Sequence, residues 1–238
     1  MPSKGKKLST KSSDAEVNAF LKKVDETRGT MQTSKRARLI FAMDATASRE
    51  PTWTQARGIQ SEMFSQTAAL GGLEVQLCFY RGFLEFENTS WISQSDKLLA
   101  KMHRVTCAGG ATQIARVLEH TILERNKGEV ATLIFVGDCM EENPDRLCQL
   151  AGTMGLLGVP AFVFQEGYDP LAEKTFREIA RLSKGAFNRF DANSPRLLRE
   201  LLGAAAVYAA GGKRALERYL TRNRAMVKGL LSQMNSGS

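Results

Sequence analysis

The stretch that decides the fold is Arg38-Leu-Ile-Phe-Ala-Met43, which runs directly into Asp44-Ala-Thr46-Ala-Ser48. A short apolar run without polar alternation suits a strand buried on both faces of a parallel sheet. A carboxylate and two hydroxyls at its carboxyl end fall where such sheets bind their ligands. The arrangement recurs at Thr132-Leu-Ile-Phe-Val136, which runs into Gly137-Asp138, while Gly109-Gly-Ala-Thr112 stands just before a helical pattern at 114–125.

Outward from these runs, a helix is expected to start near Pro51 and stop at Gly71-Gly72, with Pro in a first turn and Gly at an end. Leu73 to Tyr80 reads as a second strand, and Phe83 to Phe86 as a third, joined to it as a hairpin through Arg81-Gly82. Asn143 to Leu157 reads as helix, Val159 to Phe164 as strand, Leu171 to Ser183 as helix and Ala186 to Phe190 as a short strand before a helix from Pro195. Strand alternates with helix across 36–212. That pattern predicts an α/β fold: a Rossmann-like, doubly wound, mostly parallel six-stranded sheet with one antiparallel edge strand and helices on both faces.

The polar clusters at the strand ends offer two carboxylates (Asp44, Asp138) and three hydroxyls (Thr46, Ser48, Thr112). An all-oxygen set with few charges suits a hard cation, Mg²⁺ or Mn²⁺. Taken singly, Asp44 also reads as a helix cap, Thr112 as an N-cap and Asp138 as a strand-ending turn. The three in register favour a metal site. Glu141 and Glu142 read as a solvated first helical turn beside the positive end of the helix dipole.

This three-loop pattern, Asp44-x-Thr46-x-Ser48, then Thr112, then Asp138, resembles the metal-ion-dependent adhesion site (MIDAS) of von Willebrand factor A (VWA) domains, over roughly residues 36–210. Thr46 stands where the family more often has Ser, which keeps the hydroxyl. The resemblance implies a stand-alone, bacterial-type intracellular member of that family. It implies that Thr112 and Ser48 ligate the ion directly and that Thr46 does so directly or through its surroundings. Asp44 and Asp138 would hold coordinated waters or bind directly. An ion left under-neutralised in this way seeks a further carboxylate, so the expected function is a non-enzymatic adaptor. It would bind an Asp or Glu of a protein partner; by the resemblance, partners include an ATPase, a chaperone or a stress-response component.

Catalytic patterns are scarce. The sequence has no G-x-S-x-G elbow, no P-loop and no G-x-G-x-x-G. His103 and His120 lack metal-ligand spacing, and Cys139 has no base near it in sequence, so it reads as an inert thiol. A metal-assisted hydrolase is the weakest alternative.

Charge is unevenly placed. Residues 1–38 hold ten Lys and Arg against four Asp and Glu, and 213–238 hold six against one, whereas 39–212 hold 17 against 20. Residues 1–12 read as a disordered basic tail, 13–35 as an amphipathic helix (Val17, Phe20, Leu21, Val24) and linker, and 36–212 as the VWA-like domain. Residues 213–238 read as a basic amphipathic helix and tail. Its Arg214, Arg218, Arg222 and Lys228 are candidate partner contacts, and an RNA- or nucleoprotein-binding adaptor working through these basic ends is the second reading. With 238 residues, 43% hydrophobic and 24% charged, the composition is that of a globular protein. The longest apolar run, Leu201 to Gly212, is too short to cross a bilayer. Without an apolar leader in residues 1–38, a cytoplasmic protein with four reduced cysteines (Cys78, Cys107, Cys139, Cys148) is expected.

Overall fold

The structure, a computed structural model, describes residues 36–54, 72–190, 199–200, 202–212, 215–216 and 218–219. The amphipathic segment expected at 13–35, the basic tail at 1–12, most of the helix expected at 51–71 and the end of the chain from 220 lie outside the described residues.

Strand β1 (Ala37–Asp44) is central because its sequence can be buried twice over. Leu39, Phe41 and Met43 enter one hydrophobic core, while Ile40 and Ala42 enter the other. β1 pairs in parallel with β2 (Leu73–Arg81) on one side and with β4 (Thr132–Gly137) on the other. β5 (Ala161–Glu166) and β6 (Ala186–Phe190) extend the sheet in parallel, and β3 (Glu85–Asn88) closes the other edge antiparallel to β2. The strand order is β3-β2-β1-β4-β5-β6. The order therefore reverses between β1 and β4, and the carboxyl ends of these two strands flank the crevice that doubly wound sheets use for binding.

Helices α1 (Ser95–Met102), α2 (Ile114–Lys127), α3 (Pro144–Leu156) and α4 (Pro170–Leu182) cover the sheet. The core with Ile40 and Ala42 is completed by α2, α3 and α4. The opposite core takes Trp53, Leu98 and Met102 of α1, and the Ala-rich run from Leu202 to Ala209. That Ala-rich segment is apolar because it packs on the sheet. Among the described residues no helix is long and apolar enough to cross a membrane. The ends of α3 and α4 are set by local chemistry. Asn143 Oδ1 accepts from the amides of Asp145 and Arg146, Asp169 Oδ1 accepts from the Ala172 amide, and each helix opens on a proline.

The six strands and their order agree with the α/β expectation, with local corrections. The third strand lies at Glu85–Asn88, two residues later than the hairpin reading placed it, because Phe83 and Leu84 form the turn. α1 was not anticipated: with only Leu98 and Met102 buried, one apolar pair four residues apart gives too weak a periodicity. The helix expected at Pro51 is preceded by a 3₁₀ turn, Ala47–Arg49, which turns Arg49 inward. His120 is structural, its Nε2 2.9 Å from Gln76 Oε1 and its ring beside Phe86.

α3 and α4 meet so closely that a Cβ on Gly155 would stand 2.1 Å from the Leu182 carbonyl oxygen. Gly155→Ala must push the two helices apart and should cost about 2 kcal/mol, the usual scale for overpacking. Equilibrium urea denaturation of the variant beside the unaltered chain measures this.

Candidate metal centre

Asp44 ends β1 and is 1% exposed. Its main-chain carbonyl accepts from Trp53 Nε1 at 2.8 Å, which ties the buried Trp53, edge-on to Phe79, to the loop at the end of β1. Its carboxylate is held from two sides: Oδ1 accepts from the Thr46 amide at 2.7 Å and Oδ2 from the Tyr80 hydroxyl at 3.1 Å. Burial raises the Asp44 pKa; hydrogen bonds from Thr46 work against this, and the neighbouring Asp138 charge adds to it. Burial, reinforced by Asp44, likewise lifts the Tyr80 phenol far above its ordinary value, so Tyr80 is a permanent donor here. Asp44 does not act as a helix cap.

Asp138 follows β4 directly. Because β1 and β4 are parallel neighbours, with Met43 opposite Val136, their ends bring the two carboxylates together. Asp138 Oδ2 accepts from Ser48 Oγ at 2.8 Å, a bond that spans 90 residues of sequence, and lies 3.5 Å from Arg49 Nη1. Its other oxygen, Oδ1, is buried and accepts no well-formed hydrogen bond. Burial alone would raise the Asp138 pKa, but the Arg49 charge, the Ser48 hydroxyl and Cys139 together hold it below the usual carboxylate value. Cys139 pays the reciprocal cost: burial and the Asp138 charge push its thiol up to about 12.

Thr112 reaches the same end of the sheet on a loop fastened at several points. The Ala108 amide donates to the Ala45 carbonyl at 3.0 Å, and the Ala111 amide donates to the Gly82 carbonyl at 3.1 Å. Gly110 permits this approach, since a Cβ there would fall 2.0 Å from the Gly82 carbonyl oxygen. Thr112 Oγ1 accepts from the Glu141 amide at 3.1 Å, and the Thr112 amide donates to Glu141 Oε2 at 3.3 Å. The loop carrying Thr112 is thus clasped to the segment that begins at Asp138. Thr112 is not an N-cap either; that position belongs to Gln113, whose side chain makes no capping bond.

Three residues correct the sequence reading. Glu141 and Glu142 are not a merely solvated helical turn. Glu141 clasps Thr112, and Glu142 accepts from the Ile114 and Ala115 amides, capping α2 from outside that helix. Arg49, which had not been singled out, is 2% exposed and donates to Thr52 Oγ1 at 2.7 Å and to Glu166 at the end of β5. Arg49 and Glu166 lie 117 residues apart, so no local pattern could have paired them. Of the candidate partner contacts, Arg218 is an exposed helical residue, while Arg214, Arg222 and Lys228 lie outside the described residues.

The structure therefore joins Asp44 to Thr46 and Ser48 to Asp138 by direct hydrogen bonds, sets the two pairs at the ends of the neighbouring strands β1 and β4, and fastens Thr112 to Glu141, three residues beyond Asp138. An unpartnered buried carboxylate oxygen and a like-charged neighbour are what a hard cation would satisfy, and the donor set is all oxygen, so these residues fit Mg²⁺ or Mn²⁺. Among the described residues there is no cluster of three or more His, Cys, Asp and Glu that could hold an ion, and the five residues above comprise two carboxylates and three hydroxyls.

No family model matches the chain, and no curated protein is similar to it. Similar solved structures are found. A variant of the PilB minor pilin from Streptococcus sanguinis superposes with a TM-score of 0.56 at 7% identity, over 81% of this chain and 64% of that one. The SpRpn10 VWA domain superposes with a TM-score of 0.54 at 14% identity, over 70% of this chain and 94% of that one. Proximal thread matrix protein 1 (PTMP1) of the mussel byssus, with a zinc-occupied MIDAS motif, gives 0.57 at 16%, over 72% of this chain and 46% of that one. This chain thus spans under two thirds of the pilin and of the byssus protein but nearly all of the SpRpn10 domain. At such identities the likeness is one of fold, and the fold of this chain is VWA-like.

Proposed function

We propose that the chain is a divalent-metal-dependent protein-interaction module. Mg²⁺ or Mn²⁺ would be held by Asp44, Thr46, Ser48, Thr112 and Asp138 and would bind the Asp or Glu carboxylate of a protein partner. The observation that carries this reading is Asp138, whose Oδ2 is bonded across the crevice to Ser48 while its buried Oδ1 accepts no well-formed hydrogen bond. When bound, the ion supplies an electrophilic centre for an external carboxylate. This chain's residues orient it: Tyr80 and the Thr46 amide fix the Asp44 carboxylate, Glu141 fixes Thr112, and Ser48 fixes Asp138. The zinc-occupied MIDAS motif of PTMP1 supports a divalent ion in this fold.

The reading is of binding rather than turnover, because the groups around the crevice are poor nucleophiles. The Cys139 thiol is held protonated and Tyr80 is a buried, neutral phenol. The assignment extends to a cytoplasmic adaptor whose partner, an ATPase, chaperone or stress-response component, presents an acidic residue.

Thermal unfolding in chelator and then in millimolar Mg²⁺ or Mn²⁺ tests the site. An ion at about 100 times its Kd should add about 2.7 kcal/mol of stability. Thr112→Ala and Asp44→Asn should remove that gain; an unaltered chain that shows no gain with either ion counts against a site occupied at millimolar concentrations. Gly110→Ala, which forces the Thr112 loop off the Gly82 carbonyl, should weaken Mn²⁺ binding in a calorimetric titration. It leaves every proposed ligand in place, so affinity equal to that of the unaltered chain would mean the clasp is unimportant. In metal-free solution at neutral pH, Cys139 should react with iodoacetamide at least about tenfold more slowly than the same cysteine in the urea-unfolded chain, because its thiolate is scarce. Mass spectrometry of the alkylated peptide measures the ratio.

A further inference from the structure

The proposed ligands leave one strong charge unused. Arg49 follows Ser48 immediately, and its side chain is 3% exposed, so its guanidinium is out of reach of any partner protein. It is pinned on one side by Thr52 and by Glu166, whose side chain is 11% exposed and which also accepts from the Thr52 hydroxyl. On its other side Nη1 stands 3.5 Å from Asp138 Oδ2, the oxygen already bonded to Ser48. The cation and its two carboxylates line a cleft of about 390 Å³ that also includes Ser48, Cys139 and Tyr168.

A fixed positive charge beside a proposed metal-binding carboxylate is an unusual component for a cation site. It neutralises Asp138 when no ion is bound and repels an ion that approaches. Glu166 does the reverse, by drawing the guanidinium toward β5 and sharing its charge. A guanidinium is always protonated and has a planar fork of donors, so it can serve two carboxylates at once.

We propose that Arg49 is a built-in counter-cation that sets the divalent-ion affinity of the Asp44–Asp138 site, with Glu166 as the residue that holds it back. Arg49 keeps the two site carboxylates tolerable in the ion-free protein and makes occupancy weak and reversible. Glu166 moderates that penalty. The proposal rests on the reading of Asp44, Thr46, Ser48, Thr112 and Asp138 as a metal site. It makes Arg49 and Glu166 positioning residues rather than ligands.

The test is Mn²⁺ titration of the full chain, by calorimetry and by loss of the free-ion electron paramagnetic resonance signal. Arg49→Gln should tighten binding about tenfold, on the scale of a unit charge several ångströms from a divalent ion at a partly solvated site. Glu166→Gln, which removes a charge on the side of the guanidinium away from Asp138, should weaken it by a smaller factor, and Arg49→Lys should stay near the unaltered chain. Opposite signs for R49Q and E166Q separate this role from a structural one, since two variants that merely loosen the turn would both weaken binding. R49Q leaves Glu166 buried without its cation. R49Q/E166Q, which removes both buried charges, carries the same test if the single variant does not fold, and should bind more tightly than the unaltered chain. Binding by the unaltered chain with R49Q and E166Q shifted in the same direction, or with neither shifted, overturns the counter-cation role and leaves the metal site standing. Binding by R49Q where the unaltered chain shows none supports it. Absence of binding in the unaltered chain, R49Q and the double variant overturns the metal site and the counter-cation together.

Discussion

The parallel pairing of β1 with β4 is the constraint on which the rest depends. It sets Asp44 and Asp138 side by side above the sheet, where burial raises the cost of each charge and each raises the cost of the other. Two carboxylates so placed need compensation, and the surrounding bonds supply it: the Thr46 amide and Tyr80 hydroxyl on Asp44, and the Ser48 hydroxyl and Arg49 on Asp138. Arg49 then needs its own balance, which Glu166 and Thr52 provide from the side away from Asp138. The site is a chain of electrostatic debts passed from strand end to strand end across β2, β1, β4 and β5.

The same logic explains why so much sits on backbone rather than on long side chains. Thr46, Ala45, Ala108, Ala111, Thr112 and Glu141 all take part through main-chain amides or carbonyls. Amides positioned by turns cannot rotate away, so the loops hold their geometry above the core residues Ala45, Val105 and Met140. Glu142 shows the principle in reverse. Its carboxylate satisfies the exposed amides at the start of α2, and the helix after the Thr112 loop is thereby anchored to the loop after Asp138.

What could be read from sequence follows the range of the interactions. β1 and β4 were legible because strands buried on both faces leave continuous apolar runs, and Asp44, Thr46, Ser48 and Asp138 were legible because they fall directly at the ends of those runs. Thr112 was singled out with the Gly-Gly before it, and Gly110 proves to be a steric requirement of the loop's approach to Gly82. The third strand was misplaced because Phe83 and Leu84 look like strand residues by propensity, yet they form the turn and are about 80% exposed. Arg49 and Glu142 escaped for a different reason: their partners, Glu166 and the start of α2, are 117 and 28 residues away, and local pattern carries no trace of such pairings.

The Ser48–Asp138 bond, across 90 positions, also bears on how the molecule comes into being. A parallel strand pair so far apart in sequence must close a long loop before any of its contacts repay the lost entropy, a cost that slows folding. Neither half of the crevice has meaning without the other. A nascent chain that has emerged only as far as β3 carries Asp44, Thr46 and Ser48 but no place for an ion among them. The crevice exists only where β4 lies beside β1, so whatever the crevice holds is held by the assembled sheet and by neither half alone.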